Sequence, residues 1–217
     1  KINSFDDLVD VKSMGFRGEA LSSIAAVSDM TITSKALDAI EGSSLHIEGG
    51  VVRSLKTVGW PTGTKVEVRD LFFNTPVRKK FLDMREFERI AGFLEKFALG
   101  TSVSLRFSLH GKVVLDVRAK NLKDRVAEVY GVAVLPHLVE ISSEEFGIKL
   151  SGYVSQPSWL RSDRSQQVVF VNSRLVESDE VRKALYEAYK SMLFVNKHPL
   201  AVLFLEMGGV DVNVHPA

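Results

Sequence analysis

The sequence contains no cysteine. Disulfides and thiolate metal sites are therefore excluded, which suits a reducing interior. It also has no apolar run approaching the about 20 residues of a membrane-spanning helix, and no secretory signal. Charge of one sign is lacking too. The 28 Lys and Arg against 27 Asp and Glu leave a formal net charge of +1, so any nucleic-acid face has to be a local basic patch. Internal repeats and low-complexity tracts are absent. What is present is globular: 45% hydrophobic and 25% charged over 217 residues, enough for one or two domains with real cores. The chain opens on Lys1 and stops at Pro216-Ala217, which reads as a piece of something longer.

Periodicity predicts mixed α and β structure. A helix is expected over residues 5–12 behind an N-cap at Ser4, and a second over 18–27 after a glycine-flanked loop. Alternation over 29–34, 44–48, 51–58 and 64–70 predicts antiparallel strands, with Gly49-Gly50 as a hairpin turn. Asn74-Thr75-Pro76 is a helix start, with Thr75 as cap and Pro76 at the first helical position. That helix is expected to run to about Ala98, with Phe81, Met84, Phe87, Ile90, Ala91 and Leu94 on one face, and Gly100 ends it. A hairpin over 103–118 turns at His110-Gly111. The pattern restarts near 119–121, where a domain boundary is expected. A helix over 122–130 and strands at 138–141 and 148–154 follow, then a polar loop over 156–165. A strand at 167–172, a helix over 177–192 and a strand at 201–206 form a β-α-β unit, and a last strand covers 210–214.

Four stretches carry candidate chemistry. In residues 13–28, Gly15 and Gly18 flank Phe16 and Arg17 and lead into a helix, where free N–H groups and the helix dipole favour a phosphate. The bland alternative is a turn, with Arg17 in a surface ion pair and Glu19 complementing the dipole. Gly63-Thr64 opens a strand in residues 63–82, which include the basic run Arg78, Lys79 and Lys80. Cations in a helix's first turn oppose the dipole, so they are either a solvated surface or a DNA-phosphate contact. Arg174 follows the turn at Asn172-Ser173 and could join Arg161 and Arg164 in a basic patch, although Glu177, Asp179 and Glu180 come next. Finally, His215 in residues 211–217 has no partner at ligand spacing, so no metal site is expected.

Gly15-Phe16-Arg17-Gly18-Glu19-Ala20-Leu21 resembles the third ATP-binding motif of the MutL family of DNA mismatch-repair proteins. Residues 63–82 resemble its fourth motif, 170–174 its V-N-x-R segment and 211–217 its D-V-N-V-H-P-A segment. The resemblance covers essentially the whole chain and implies an α+β protein of two α/β sandwich domains. Residues 1–118 would be the later part of an ATPase domain of the histidine-kinase, topoisomerase and heat-shock-chaperone type, lid included. Residues 119–217 would be a ribosomal-protein-like domain with a left-handed β-α-β crossover.

The same resemblance implies that Gly15 to Leu21 wrap the triphosphate of ATP as a mobile lid, and that Thr64 holds the adenine end. In this chain alone Gly15 to Leu21 are expected to be disordered or misplaced. The family's catalytic glutamate, Mg²⁺-ligating asparagine and D-x-G-x-G loop have no match here, so no catalytic residue is assigned and the fragment is not expected to hydrolyse ATP. Arg161, Arg164, Arg174, Arg78, Lys79 and Lys80 are the candidate DNA contacts. The implied parent is a mismatch-repair ATPase that dimerises with itself or a paralogue on ATP and Mg²⁺ and holds DNA. It would work with a mismatch-recognition protein and a downstream nuclease or helicase, in bacterial cytoplasm or a eukaryotic nucleus. The alternatives are a DNA-binding module without enzymatic activity and the ATPase subunit of a type II topoisomerase.

Overall fold

The computed structural model describes residues 19–82 and 84–208. The expected helix over 5–12, the glycines of the lid motif and the strand at 210–214 lie outside the described residues. The backbone gathers into two compact units, Lys1–Glu86 and Phe87–Ala217.

In the first unit α1 (Glu19–Ala25) leads into β1 (Asp29–Lys35), followed by β2 (Gly42–Glu48), β3 (Val51–Val58) and β4 (Gly63–Arg69). They form one antiparallel sheet of order β3-β2-β1-β4. Gly49 and Gly50 take φ values of 56° and 83°, the left-handed conformations that a two-residue hairpin turn requires. After β4 the chain is tied to the end of α1, because Phe72 N–H donates to the Val27 carbonyl at 2.7 Å and Asn74 Nδ2 to that of Ala26 at 2.9 Å. Glu19, Ala20 and Leu21, expected to lack order, form the first turn of α1.

The helix expected over 76–98 is two helices, α2 (Pro76–Lys79) and α3 (Met84–Leu99). Between them Phe81 and Leu82 N–H groups reach back only three residues, to Arg78 and Lys79, which tightens and ends the first helix. Apolar spacing runs on across the break, so periodicity alone does not register it. Phe81, placed on the buried face by that spacing, is 74% exposed. Pro76 does sit at the start of α2, but Thr75 makes no side-chain cap bond. Its buried hydroxyl has no partner among the described residues.

The second unit holds most of α3 and the hairpin β5 (Leu105–Leu109) and β6 (Lys112–Val117), then α4 (Leu122–Tyr130) and a 3-10 turn at Val132–His137. It continues through β7 (Leu138–Glu145), β8 (Ile148–Ser155), β9 (Leu160–Arg161), β10 (Gln167–Val171), β11 (Arg174–Val176), α5 (Asp179–Ala188), β12 (His198–Pro199) and β13 (Ala201–Met207). Five strands make a sheet of order β11-β10-β13-β8-β7, in which only β10 and β13 run parallel. These two strands and α5 are the expected β-α-β unit. The helix expected over 177–192 is shorter: Ser178 caps its start by accepting from Val181 N–H at 3.2 Å, and three-residue bonds from Tyr189 and Lys190 N–H to Tyr186 and Glu187 end it. The loop at 156–165 includes β9, which pairs with β12.

The core of this unit is Leu99, Val126, Val134, Val168, Phe170, Leu200 and Val202. Gly100 has a second use beyond ending α3: a Cβ there would fall 2.2 Å from the Phe170 ring. Arg125, 1% exposed, is fastened inside. It donates to the carbonyls of Ala98 at 2.6 Å, Ala119 at 2.5 Å and Val103 at 3.1 Å. Those bonds, with Val129 packed against Ala98, Leu115 and Val117, hold α3 and the β5–β6 hairpin to α4. Residues 87–118, expected with the first domain, thus lie in the second compact unit.

On the outside of β5 and β6, Asp116 accepts from Arg118 at 2.6 Å and Arg106 at 2.8 Å. The two guanidiniums, Arg118 first, hold its carboxyl well below the usual carboxylate range. A lowered folded value stabilises above the unfolded value and is lost as pH falls through the folded one. Asp116→Asn is therefore expected to lower the urea midpoint at neutral pH and to converge on the parent in strong acid. A difference constant from pH 7 downward would show that the ion pairs contribute nothing.

Candidate functional site

The end of the lid motif lies on α1, which leads into β1, and Thr64 lies on β4, which pairs with β1. Glu19, Ala20 and Leu21 are exposed on α1, where Ser22 and Ser23 hydroxyls donate to the Glu19 carbonyl at 2.9 and 2.6 Å. α1 runs into the start of β1. Thr64 stands opposite Ser34 at the other end of that strand, and their hydroxyls are 2.7 Å apart. At about 3.3 Å per residue, the five steps from Asp29 to Ser34 put about 17 Å between the two ends. Gly63, just before Thr64, takes φ of 130°, a conformation closed to most side chains. Gly15, Phe16, Arg17 and Gly18 lie outside the described residues. Among the described residues no three His, Asp or Glu side chains converge as a metal site.

The candidate DNA contacts fall in three places. Arg78, Lys79 and Lys80 are exposed in and after α2, with the Arg78 guanidinium 6.0 Å from the centre of the Phe72 ring. Arg161 and Arg164 lie on the loop that β9 and β12 clasp, and Arg164 lies over the Tyr186 ring of α5 at 5.6 Å. Arg174 begins β11, past the turn in which Asn172 and Ser173 take φ of 46° and 65°. The far end of β10 from Gln167 is about 13 Å away. The structure therefore places Arg164 against α5 and Arg174 at the opposite end of β10.

Sequence reading missed the α5 face. Arg164, Asp179, Arg182, Lys183, Tyr186, Glu187 and Lys190 line a cavity of about 520 Å³. The i, i+3, i+4 spacing of 179, 182, 183, 186, 187 and 190 puts these on one side of a helix and was available as a signal. The approach of Arg164 was not, since it depends on the β9–β12 pairing.

The overall fold is similar to that of the DNA gyrase B-subunit from Myxococcus xanthus, with a TM-score of 0.56 over 93% of this chain and 67% of that one. At 15% identity this is a likeness of fold alone. It defines the fold class, a mixed α/β fold shared with that gyrase subunit.

Sequence narrows the class. The chain is 38% identical over 221 residues to the DNA mismatch repair protein MutL of Citrifermentans bemidjiense, covering all of this chain and 34% of that protein. It is 30% identical to the MutL ATPase domain of Aquifex aeolicus complexed with ADP, with a TM-score of 0.71, covering 95% of this chain and 76% of that domain. Residues 126–217 match the family described as DNA mismatch repair protein, C-terminal domain. The chain belongs to the MutL family of DNA mismatch repair proteins. It spans about a third of the length of the curated relatives it matches. No helix among the described residues is long and apolar enough to cross a membrane.

Proposed function

We propose that this chain is the lid and second-domain portion of an ATP-operated DNA mismatch-repair clamp. One observation carries the nucleotide half: α1, whose first turn is Glu19 to Leu21, leads into β1, and the Thr64 hydroxyl meets that of Ser34 near the far end of the same strand, at 2.7 Å. The resemblance assigns these same residues to opposite ends of one nucleotide. In this reading the backbone N–H groups of Gly15 to Leu21 hold the phosphates and the Thr64 hydroxyl, already oriented by Ser34, faces the adenine end. The ADP complex of the Aquifex aeolicus domain supports a nucleotide here. Mg²⁺, when bound with ATP, would neutralise phosphate charge. Its ligand and the catalytic glutamate belong to the first helix of the whole family fold. Residues 119–217 act as the second domain, and the match over 126–217 supports a boundary before Val126. Two protomers, identical or paralogous, close on DNA when the lid orders, and the clamp hands a recognised mismatch to a nuclease or helicase.

Gly18→Val in the whole protein is expected to lower ATP turnover about tenfold, a loss of about 1.4 kcal/mol of transition-state stabilisation. Steady-state hydrolysis with saturating Mg²⁺ measures it. Unchanged turnover removes the lid assignment. The non-enzymatic reading predicts instead that DNA affinity is indifferent to ATP in the whole protein.

A further inference from the structure

We propose that the free edge of β7 is a docking site for an extended, basic peptide segment of a partner protein, which adds a sixth strand to the second sheet. The inference goes beyond the nucleotide and DNA readings and does not rest on them.

β7 ends the five-stranded sheet, and among the described residues no strand pairs with its outer side. Its hairpin with β8 fixes which backbone groups face outward. Phe146 and Gly147 form a two-residue turn with φ of 52° and 73°, the type I′ form. The register then runs without a shift from Glu145 opposite Ile148 to Leu138 opposite Ser155. The pair flanking such a turn exchanges hydrogen bonds, and bonded pairs alternate along the ladder. Glu145, Ser143, Ile141 and Val139 therefore bond to β8, whereas Leu138, Glu140, Ser142 and Glu144 turn their N–H and carbonyl groups away from it. The Leu138 N–H is taken by the Leu135 carbonyl. Those of Glu140, Ser142 and Glu144 have no acceptor among the described residues. Long edges are normally protected by a bulge, a proline, lysines or a covering element. β7 has no bulge, proline or lysine over its eight residues. By contrast β3, which ends the first sheet, carries Arg53 and Lys56 and adjoins a bulge, and β11 is only three residues long.

The charge beside the open groups selects the partner. Glu140 and Glu144 stand on one face, across from Tyr153 and Lys149. Glu140 and Asp124 of α4 both act on the Tyr153 hydroxyl. Lys149 is the only cation in β7 and β8. It stands between Glu144 and Glu206 and makes no ion pair among the described residues. Two copies of β7 side by side would gather Glu140 and Glu144 from each on one face of the seam, where like charges repel. A strand with cations there is attracted instead. Apolar surface accompanies the charge, since Val139 on the other face is 42% exposed and Phe146 at the tip is 99% exposed. An incoming antiparallel strand therefore reads cation, two polar residues, apolar, cation, apolar, opposite Glu144 through Val139. Its backbone bonds supply affinity and its alternate side chains specificity.

The probe is the labelled, end-capped peptide Thr-Lys-Thr-Thr-Val-Lys-Val-Thr, titrated into the 217-residue chain and followed by fluorescence anisotropy. Replacing both of its lysines with glutamate should weaken binding about tenfold or more. Methylating the nitrogen of its fourth residue, opposite Ser142, should do the same, because that N–H donates to β7. Methylating the fifth, whose N–H points away, should leave binding within about twofold. In the protein, Glu144→Lys should weaken binding about tenfold, and a peptide with glutamate in second place should restore it. With the original peptide bound, amide exchange followed by NMR should slow at Glu140, Ser142 and Glu144 and stay unchanged at Ile141 and Ser143. Matched thermal unfolding curves ensure that folding is not what changed.

Undiminished binding of the peptide methylated at its fourth residue would mean ionic association without strand pairing, and would overturn the site. Undiminished binding of the glutamate peptide would overturn the charge assignment. A chain that ignores every peptide yet sediments as a dimer, with the dimer lost in Ser142→Pro, would make a second copy the occupant and overturn the basic partner. A monomeric chain that binds none of them overturns the proposal outright.

Discussion

Replacing Arg125 with methionine is expected to destabilise the chain by about 4 kcal/mol, read as a lower urea midpoint at unchanged slope. Methionine can occupy the apolar volume around Val126. It cannot donate to the carbonyls of Ala98, Val103 and Ala119, which all receive a guanidinium N–H. Each buried carbonyl left without a donor costs about 1–3 kcal/mol, and the Ala98 bond is fully buried. Burial also lowers the Arg125 pKa, but an arginine has ample range and stays charged. Arg125→Lys should recover only part of the loss, since an ammonium cannot span three acceptors in one plane. A methionine variant within about 0.5 kcal/mol of the parent would mean that water reaches those carbonyls.

Gly152→Ala should cost a comparable amount, about 4 kcal/mol, for an unrelated reason. Gly152 lies inside β8 between Ile141 of β7 and Leu203 of β13. Its φ is 139°, and an added Cβ would stand 2.0 Å from the Val202 carbonyl oxygen. The obstacle is backbone in the neighbouring strand, so no rotamer change relieves it. Calorimetric unfolding of the alanine variant measures the cost. A wild-type melting temperature would mean that β8 and β13 pair in another register.

Why these two residues escape sequence reading differs. A glycine within an alternating strand is a known mark of close backbone approach, so Gly152 was open to notice. Arg125 was not. Its three acceptors come from residues 98, 103 and 119, and nothing in the helix 122–130 signals that its cation points inward. Hairpins were legible where turn chemistry and alternation agree, as at Gly49-Gly50 and His110-Gly111. The break before α3 was illegible because Phe81 keeps the helical spacing while the backbone does not. At the candidate site the motif residues were found through resemblance. The Ser34–Thr64 bond needs the β1–β4 register, and Arg164 on Tyr186 needs the clasp of β9 with β12.

The order of strands in the second sheet bears on how the protein emerges from the ribosome. β13, the last described strand, lies between β10 and β8. Until residues 201–207 are synthesised, β8 and β10 each have an open edge where their neighbour belongs. The nascent chain must therefore carry two unpaired strands, with Val168 and Phe170 uncovered, past α5 and its loop before the sheet can close. A stalled or truncated product ending near residue 200 should be a target for chaperones and an aggregation hazard, while a few residues more allow the centre of the sheet to zip shut.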